Sequence, residues 1–198
     1  QEQGFRQLAN PKCSSEDKDR AIGAGAFDVV VSALRFHSQS MAVHEWACRG
    51  LQNLTSSSLA SEVKAGEAGV VEALVASMNT WRTCAAVQQW TFAALSEITR
   101  SSGSADNRIR GENAGAIEAA ISVMKANPTN AEVQRAALAF FRCYTNTTRK
   151  VDYRIRVLNA GLIEASVAAM RALPGDLTVH ADACDALCNL SGNDSFED

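Results

Sequence analysis

Apolar residues recur along this chain in blocks whose internal spacing is that of a helix. After Gly115, for example, apolar residues stand two, six and nine positions later, at Ile117, Ile121 and Met124. This spacing places the three side chains on one face of a helix. The block occurs four times, and its glycines are separated by 44, 46 and 46 residues: Gly25, Gly69, Gly115 and Gly161.

Each block predicts three helices. A short first helix ends near the glycine, and we expect it over residues 16–23, 59–66, 106–113 and 151–159. The glycine permits a sharp change of direction, because it adopts positive φ freely, and a second helix follows. The third helix comes after a loop and carries core residues 18, 22, 26 and 29 positions beyond the glycine. A period in the forties with helical patterning is typical of an α-solenoid, whose repeats bury their apolar faces against each other.

The repeat phase predicts one continuous domain over residues 1–198. Residues 1–10 match the end of a third helix, and whole repeats are expected over residues 14–57, 58–102, 105–148 and 150–193. The chain starts within a repeat and shows no polar capping repeat, so we expect it to be part of a longer solenoid. We also expect end-to-end self-association through apolar residues at its two ends: Phe5, Leu8, Leu187 and Leu190.

Two columns of charge follow the same phase. A cation stands five positions before each glycine, at Arg20, Lys64, Arg110 and Arg156, and an acid stands three positions after it, at Asp28, Glu72, Glu118 and Glu164. A carboxylate in the first turn of a helix is stabilised by about 0.3–1 kcal/mol through the helix dipole. We therefore interpret both columns as helix-end electrostatics and expect them to pair with each other.

Composition and charge exclude several kinds of partner. The net charge is −3, so no basic field favours nucleic acid or an anionic membrane. No run of apolar residues is long enough to span a bilayer. The six cysteines lie in helical phase, with Cys184 and Cys188 one turn apart, which indicates reduced thiols and predicts the cytoplasm, or the nucleus, as the location.

Metal and catalytic sites are not expected. His180, Cys184 and Cys188 share one helical stripe, but a structural zinc site needs four converging ligands and one straight helix rarely supplies three. Phe92 and Leu138 stand at the cysteine position in the middle repeats, which indicates a packing position. The histidines have no catalytic motif around them and the chain has no Gly-rich phosphate loop. We predict no enzyme, no metal and no cofactor.

Several motifs recur in phase and resemble those of the armadillo repeat family. They are Ala-Gly-Ala-Ile-Glu at residues 114–118, Val-Gln after the loop, Ala-Ala, and Leu-x-Asn-Leu followed by Ser or Thr. The resemblance covers essentially the whole chain. It implies an all-α, right-handed superhelix of three-helix repeats that acts as a non-enzymatic protein–protein interaction scaffold and binds extended peptides along its concave groove.

In that family the asparagine of Leu-x-Asn-Leu hydrogen-bonds the backbone of a bound peptide. The resemblance therefore implies this role for Asn53 and Asn189, and for Asn10 in the partial repeat. The middle repeats carry Glu97 and Cys143 at this position, so a continuous row of asparagines is interrupted.

The groove also follows from helix geometry. Positions 21, 24 and 28 after the glycine lie within about 60° of each other on a helix, beside the core residues. We call this set the groove face; in chain order its residues are Gln3, Arg6, Asn10; Trp46, Arg49, Asn53; Trp90, Ala93, Glu97; Ala136, Ala139, Cys143; Asp182, Asp185, Asn189. The face changes from aromatic and basic to small and then to acidic.

Two readings of this face stay open. Trp46 and Trp90 are either packing residues or an aromatic shelf for an apolar or cationic side chain of a ligand. If the face binds a peptide, acidic ligand residues are expected near Arg6 and Arg49 and basic ones near Asp182 and Asp185. The alternative function is a structural spacer within a larger assembly, which would make its contacts through other surfaces.

Overall fold

The computed structural model describes residues 6, 9–10, 12–56, 58–101, 105–146 and 151–191. Within these residues the chain is helical and contains no strand, which confirms the all-α prediction. None of the described helices combines the length and apolarity needed to cross a membrane. The twelve described helices are α1 (Ser15–Gly23), α2 (Ala26–Phe36), α3 (Met41–Thr55), α4 (Leu59–Glu67), α5 (Val70–Thr80), α6 (Ala85–Thr99), α7 (Ala105–Ala114), α8 (Ala116–Ala126), α9 (Ala131–Asn146), α10 (Val151–Ala160), α11 (Leu162–Ala172) and α12 (Leu177–Ser191).

The helices form four triplets, and each expected repeat range contains one of them. The exact repeat boundaries stay a prediction. Gln3, Phe5 and Leu8 lie outside the described residues. At the other end Leu187 is half-buried and Leu190 is buried, and self-association through the ends also stays a prediction.

Each second helix begins directly after one of the four repeat glycines. Their φ angles are 84°, 78°, 79° and 94°, and among the described residues only these four have positive φ. A side chain at such a position would be strained, so glycine is required there by the turn itself. The predicted change of direction is confirmed at all four places.

The third helices α3, α6, α9 and α12 pack side by side along the described chain. Close approach is possible because position 22 carries small side chains that are completely buried: Ala47, Thr91, Ala137 and Ala183. The Thr91 hydroxyl donates a hydrogen bond of 2.7 Å to the Val87 carbonyl of its own helix, so its burial leaves no unpaired donor. This row of helices carries the groove face.

A buried polar side chain at position 19 joins each middle third helix to the second helix before it. The Gln88 amide donates hydrogen bonds of 2.9 Å to the carbonyl oxygens of Met78 and Trp81, at the end of α5. Gln134 makes the equivalent pair of bonds at the end of α8. The last carbonyls of a helix lack partners within it, so these amides supply the missing donors.

Histidine takes this position in the first repeat. His44 is buried, its Nδ1 lies 2.9 Å from the Ser77 hydroxyl, and its ring is 5.7 Å from that of Trp81. Burial lowers the pKa of His44, against the opposing effect of the Leu34 and His37 carbonyls. The imidazole is therefore held in its neutral form at neutral pH.

The two charged columns pair across consecutive repeats. Arg110 on α7 lies 3.5 Å from Glu72 on α5, and Arg156 on α10 lies 3.2 Å from Glu118 on α8. Such half-exposed pairs contribute at most about 1 kcal/mol each. They confirm the expected pairing for α7 and α10, each of which is joined to the second helix of the preceding repeat, whereas Arg20 pairs with Asp17 on its own helix.

Candidate functional site

Tryptophan and arginine alternate along the N-terminal half of the groove face. Trp46 and Trp90 are half-buried and pack against the hydrophobic core. The guanidinium carbon of Arg49 lies over both rings, 5.3 Å from the centroid of Trp46 and 4.8 Å from that of Trp90. Arg6 lies over Trp46 as well, at 5.0 Å. We call these four residues the Arg–Trp ladder.

The ladder follows from the repeat register. Trp46 is three residues before Arg49, so the two side chains are neighbours on α3. The next third helix packs alongside and brings Trp90 to the other side of Arg49. A cation over an indole ring contributes about 0.5–1 kcal/mol when exposed and about 2 kcal/mol when desolvated. The half-buried Arg49 is thus held in place by two aromatic contacts.

The structure refines the two readings of the tryptophans. Both indoles support the core, as the packing reading expects, and both also belong to the surface of the groove face. Their rings carry the chain's own guanidinium groups where a ligand side chain was expected. Positive charge therefore stands where the shelf reading placed a ligand cation.

The asparagines of the groove face connect neighbouring repeats. Asn53 is buried, and its amide donates a hydrogen bond of 3.1 Å to the Asn10 carbonyl. The Asn189 amide lies 3.2 Å from the Arg142 carbonyl and 3.2 Å from the Thr145 hydroxyl. Asn10 itself is exposed. An amide offers two N–H donors and one oxygen, so a role for these residues in holding a peptide backbone stays a prediction.

Charges in the C-terminal half of the face are paired. The Asp182 carboxylate lies 3.1 Å from Nε of Arg142, and its side chain is only 16% exposed. Burial raises the pKa of Asp182, while Arg142 acts in the opposite direction. Asp185 is exposed, and between the two halves Ala136 and Ala139 are small and half-buried. The acidic end predicted from sequence is therefore partly neutralised.

Glu97 and Cys143, which stand at the asparagine position in the middle repeats, are both half-buried. Glu97 lies 3.3 Å from Arg100 on its own helix, and its side chain is 26% exposed. Cys143 is half-buried, and burial raises the pKa of its thiol. A protonated thiol is a poor nucleophile, so the arrangement does not activate this cysteine.

Sequence reasoning missed Arg142. This residue stands at position 27, next to the groove face as it was defined, and only the neighbouring helix brings it to Asp182. The two residues are 40 positions apart, six fewer than the 46 residues of this repeat, so a search at the exact repeat spacing does not find the pair.

The stripe of His180, Cys184 and Cys188 has a half-buried histidine and two exposed cysteines. Within the described ranges, no group of three or more His, Cys, Asp and Glu side chains is placed to hold a metal ion. All six cysteines are free thiols.

No protein-family model and no curated protein matches the sequence. Solved structures do. One engineered protein superposes with a TM-score of 0.79 at 25% identity over 96% of this chain, which spans 44% of that protein's length. A second engineered protein gives a TM-score of 0.73 at 22% identity, covering 96% of this chain and 90% of the other.

The third comparison names the fold. A designed armadillo repeat protein in complex with the peptide (KR)4 superposes with a TM-score of 0.55 at 17% identity, covering 94% of this chain and 91% of the other. Together with the four helix triplets and their glycine turns, this likeness shows that the chain has the fold of the armadillo-like repeat family, an α-solenoid.

Proposed function

We propose that this chain is a non-enzymatic protein–protein interaction module that binds an extended peptide or partner segment along its groove face. The Arg–Trp ladder is the observation that carries the proposal. It places half-exposed indoles and guanidinium groups on a continuous surface of stacked third helices. Tryptophan and arginine are the residue types most enriched at binding hot spots.

The comparison with designed proteins supports this reading. A designed armadillo repeat protein of the same fold is seen with the peptide (KR)4. The row of third helices in this chain offers a continuous surface on which an extended peptide would fit. The proposal includes no metal and no cofactor, and the cytoplasm or nucleus as location stays a prediction.

One observation favours the alternative, a structural spacer. The amides of Asn53 and Asn189 and the pair of Arg142 with Asp182 all join adjacent repeats. Part of the groove face therefore stabilises the solenoid itself. A spacer would bind its neighbours through surfaces other than this face.

Panning of a random dodecapeptide display library on the immobilised chain separates these functions. A variant with Ala93→Trp and Ala139→Trp fills the middle of the groove face and leaves the ladder in place. A matched control, Ser32→Trp, adds the same ring to an exposed position of α2. We expect enriched peptides to bind the filled variant about tenfold more weakly and the control unchanged. No enrichment, or equal binding to the wild type and the filled variant, would contradict peptide binding along this face.

A further inference from the structure

The ladder holds a cation that the protein does not neutralise. Within the described residues, no carboxylate lies within ion-pair distance of the Arg49 guanidinium. The group is half-buried between two indole rings. Arg6 adds a second guanidinium over Trp46, so two positive groups flank one ring. The positive charge of this region is therefore opposite in sign to the net charge of the chain, which is −3.

The guanidinium of Arg49 keeps N–H donors for a ligand although it lies over two rings. A guanidinium has five N–H donors, which lie in its plane, at the edges. A carboxylate forms its strongest bonds with such an edge, through two parallel N–H···O contacts. A ligand cation would instead meet like charge at a site whose ring faces are already covered.

We propose that the N-terminal half of the groove face recognises an acidic segment of a protein partner, with a ligand carboxylate paired to Arg49. This inference rests on the proposed function and specifies the chemistry of the ligand. The C-terminal half offers no equivalent, because Arg142 is already paired with Asp182.

The repeat geometry also sets the spacing of the acidic residues. Packed helices lie about 8–10 Å apart. A polyproline II segment advances about 3.1 Å per residue and turns once every three residues, so residues three apart share a face at about 9 Å. In that conformation a ligand with Glu or Asp at every third position keeps its carboxylates on the side that faces Arg49.

Fluorescence anisotropy with defined peptides tests the inference. The probes are a labelled dodecapeptide with Glu at every third position among Gly and Ser, and the same peptide with Gln or Lys in place of Glu. We expect the spaced Glu peptide to bind about tenfold more tightly than the other two. Rising salt should weaken this binding.

Arg49→Gln should weaken binding of the spaced Glu peptide by about tenfold. Arg49→Lys should restore only part of the affinity, because lysine lacks the planar fork. The matched control is Arg171→Gln, the same change of charge at an exposed position on α11, which should leave affinity unchanged. Circular dichroism of each variant confirms that the comparison is made on folded protein.

Three outcomes would overturn the inference. The first is equal affinity of the wild type and Arg49→Gln for the Glu peptide, and the second is preference for the Lys peptide. The third is competition by a single-stranded oligonucleotide at lower concentration than the Glu peptide, which would make phosphate the preferred ligand. In each case peptides enriched on the groove face could still support the proposed function. If panning yields no groove-dependent peptide either, the proposed function fails as well.

Discussion

The aromatic residues of the groove face and those of the third repeat are placed in opposite ways. In the N-terminal half of the face, Trp46 and Trp90 stand at the surface with guanidinium groups over their rings. In the third repeat, Phe140, Phe141 and Tyr144 are completely buried, and the Phe140 ring centroid lies 5.3 Å from that of Phe141 and 5.0 Å from that of Tyr144. The two regions also differ in the pairing of their charges. Arg49 has no carboxylate partner among the described residues, whereas Arg142 is paired with Asp182.

The difference teaches that the same scaffold can place aromatic volume inside or outside by a shift of a few positions. Phe141 and Tyr144 occupy core positions 26 and 29, where the first repeat has Leu51 and Leu54. Positions 21 and 24 are then free to carry function or to be reduced to alanine. The third repeat therefore places its aromatic residues in the interior, and the N-terminal half keeps its two tryptophans at the surface of the groove face.

The largest expected effect separates buried from surface aromatic residues. Phe141→Ala should lower the free energy of unfolding by about 3–5 kcal/mol, because it empties a fully buried site. Trp90→Ala should cost about 2 kcal/mol, since the indole is only half-buried. Urea denaturation followed by circular dichroism measures both. A cost for Trp90→Ala equal to that of Phe141→Ala would show that the tryptophan is a core residue.

A second test extends the ladder into the next repeat. Ala93 and Ala136 stand at the positions equivalent to Arg49 and Trp90, so Ala93→Arg with Ala136→Trp should create another stacked pair. The double-mutant cycle should give a favourable coupling of about 1 kcal/mol in unfolding free energy. A coupling near zero would mean that the geometry of the N-terminal half is not transferable and depends on more than these two positions.

The smallest effect is a difference in pH dependence between the two halves. The pKa of His44 is lowered by burial, so the unfolded chain binds a proton more readily than the folded one. Stability from this group is complete above the unfolded value of about 6.5 and is lost as pH falls below it. His44→Gln introduces the residue that the middle repeats carry at this position and should remove this loss. Unfolding free energies measured between about pH 7 and about pH 5, on either side of the usual histidine pKa, check the prediction.

Asp176, which directly precedes α12, should respond only at lower pH. The hydrogen bond from Arg135 lowers the pKa of Asp176, whose usual value is 3.8. Stability from that carboxylate is complete above the usual value and is lost as pH falls through the lowered one. Asp176→Asn should therefore change the unfolding free energy below about pH 4 and leave its pH dependence unaltered in the range where His44 titrates. If both variants changed the unfolding free energy over the same pH range, the assignment of the two pH ranges to His44 and Asp176 would be wrong.

Sequence patterns predicted the parts of this structure that depend on local geometry. The glycine turns and the core positions of the third helices repeat within each block, so one helix is enough to predict them. The pairs Arg110–Glu72 and Arg156–Glu118 join consecutive repeats and follow from the repeat phase of the two charged columns. The burial of Asn53 and the position of Arg49 between two rings depend on the neighbouring repeat. Helical angles give the direction of a side chain from its own axis, but they do not show how far a long side chain extends over the next helix.

Tryptophan indole resonances offer the most direct test of ligand binding at the ladder. The chain has three tryptophans, and Trp81 serves as an internal control because it lies at the end of α5 against His44, outside the groove face. In ¹H–¹⁵N spectra titrated with the spaced Glu peptide, the indole N–H signals of Trp46 and Trp90 should shift in a saturable way while that of Trp81 stays in place. Unmoved signals for Trp46 and Trp90 at saturation, or a shift confined to Trp81, would contradict recognition at the Arg–Trp ladder.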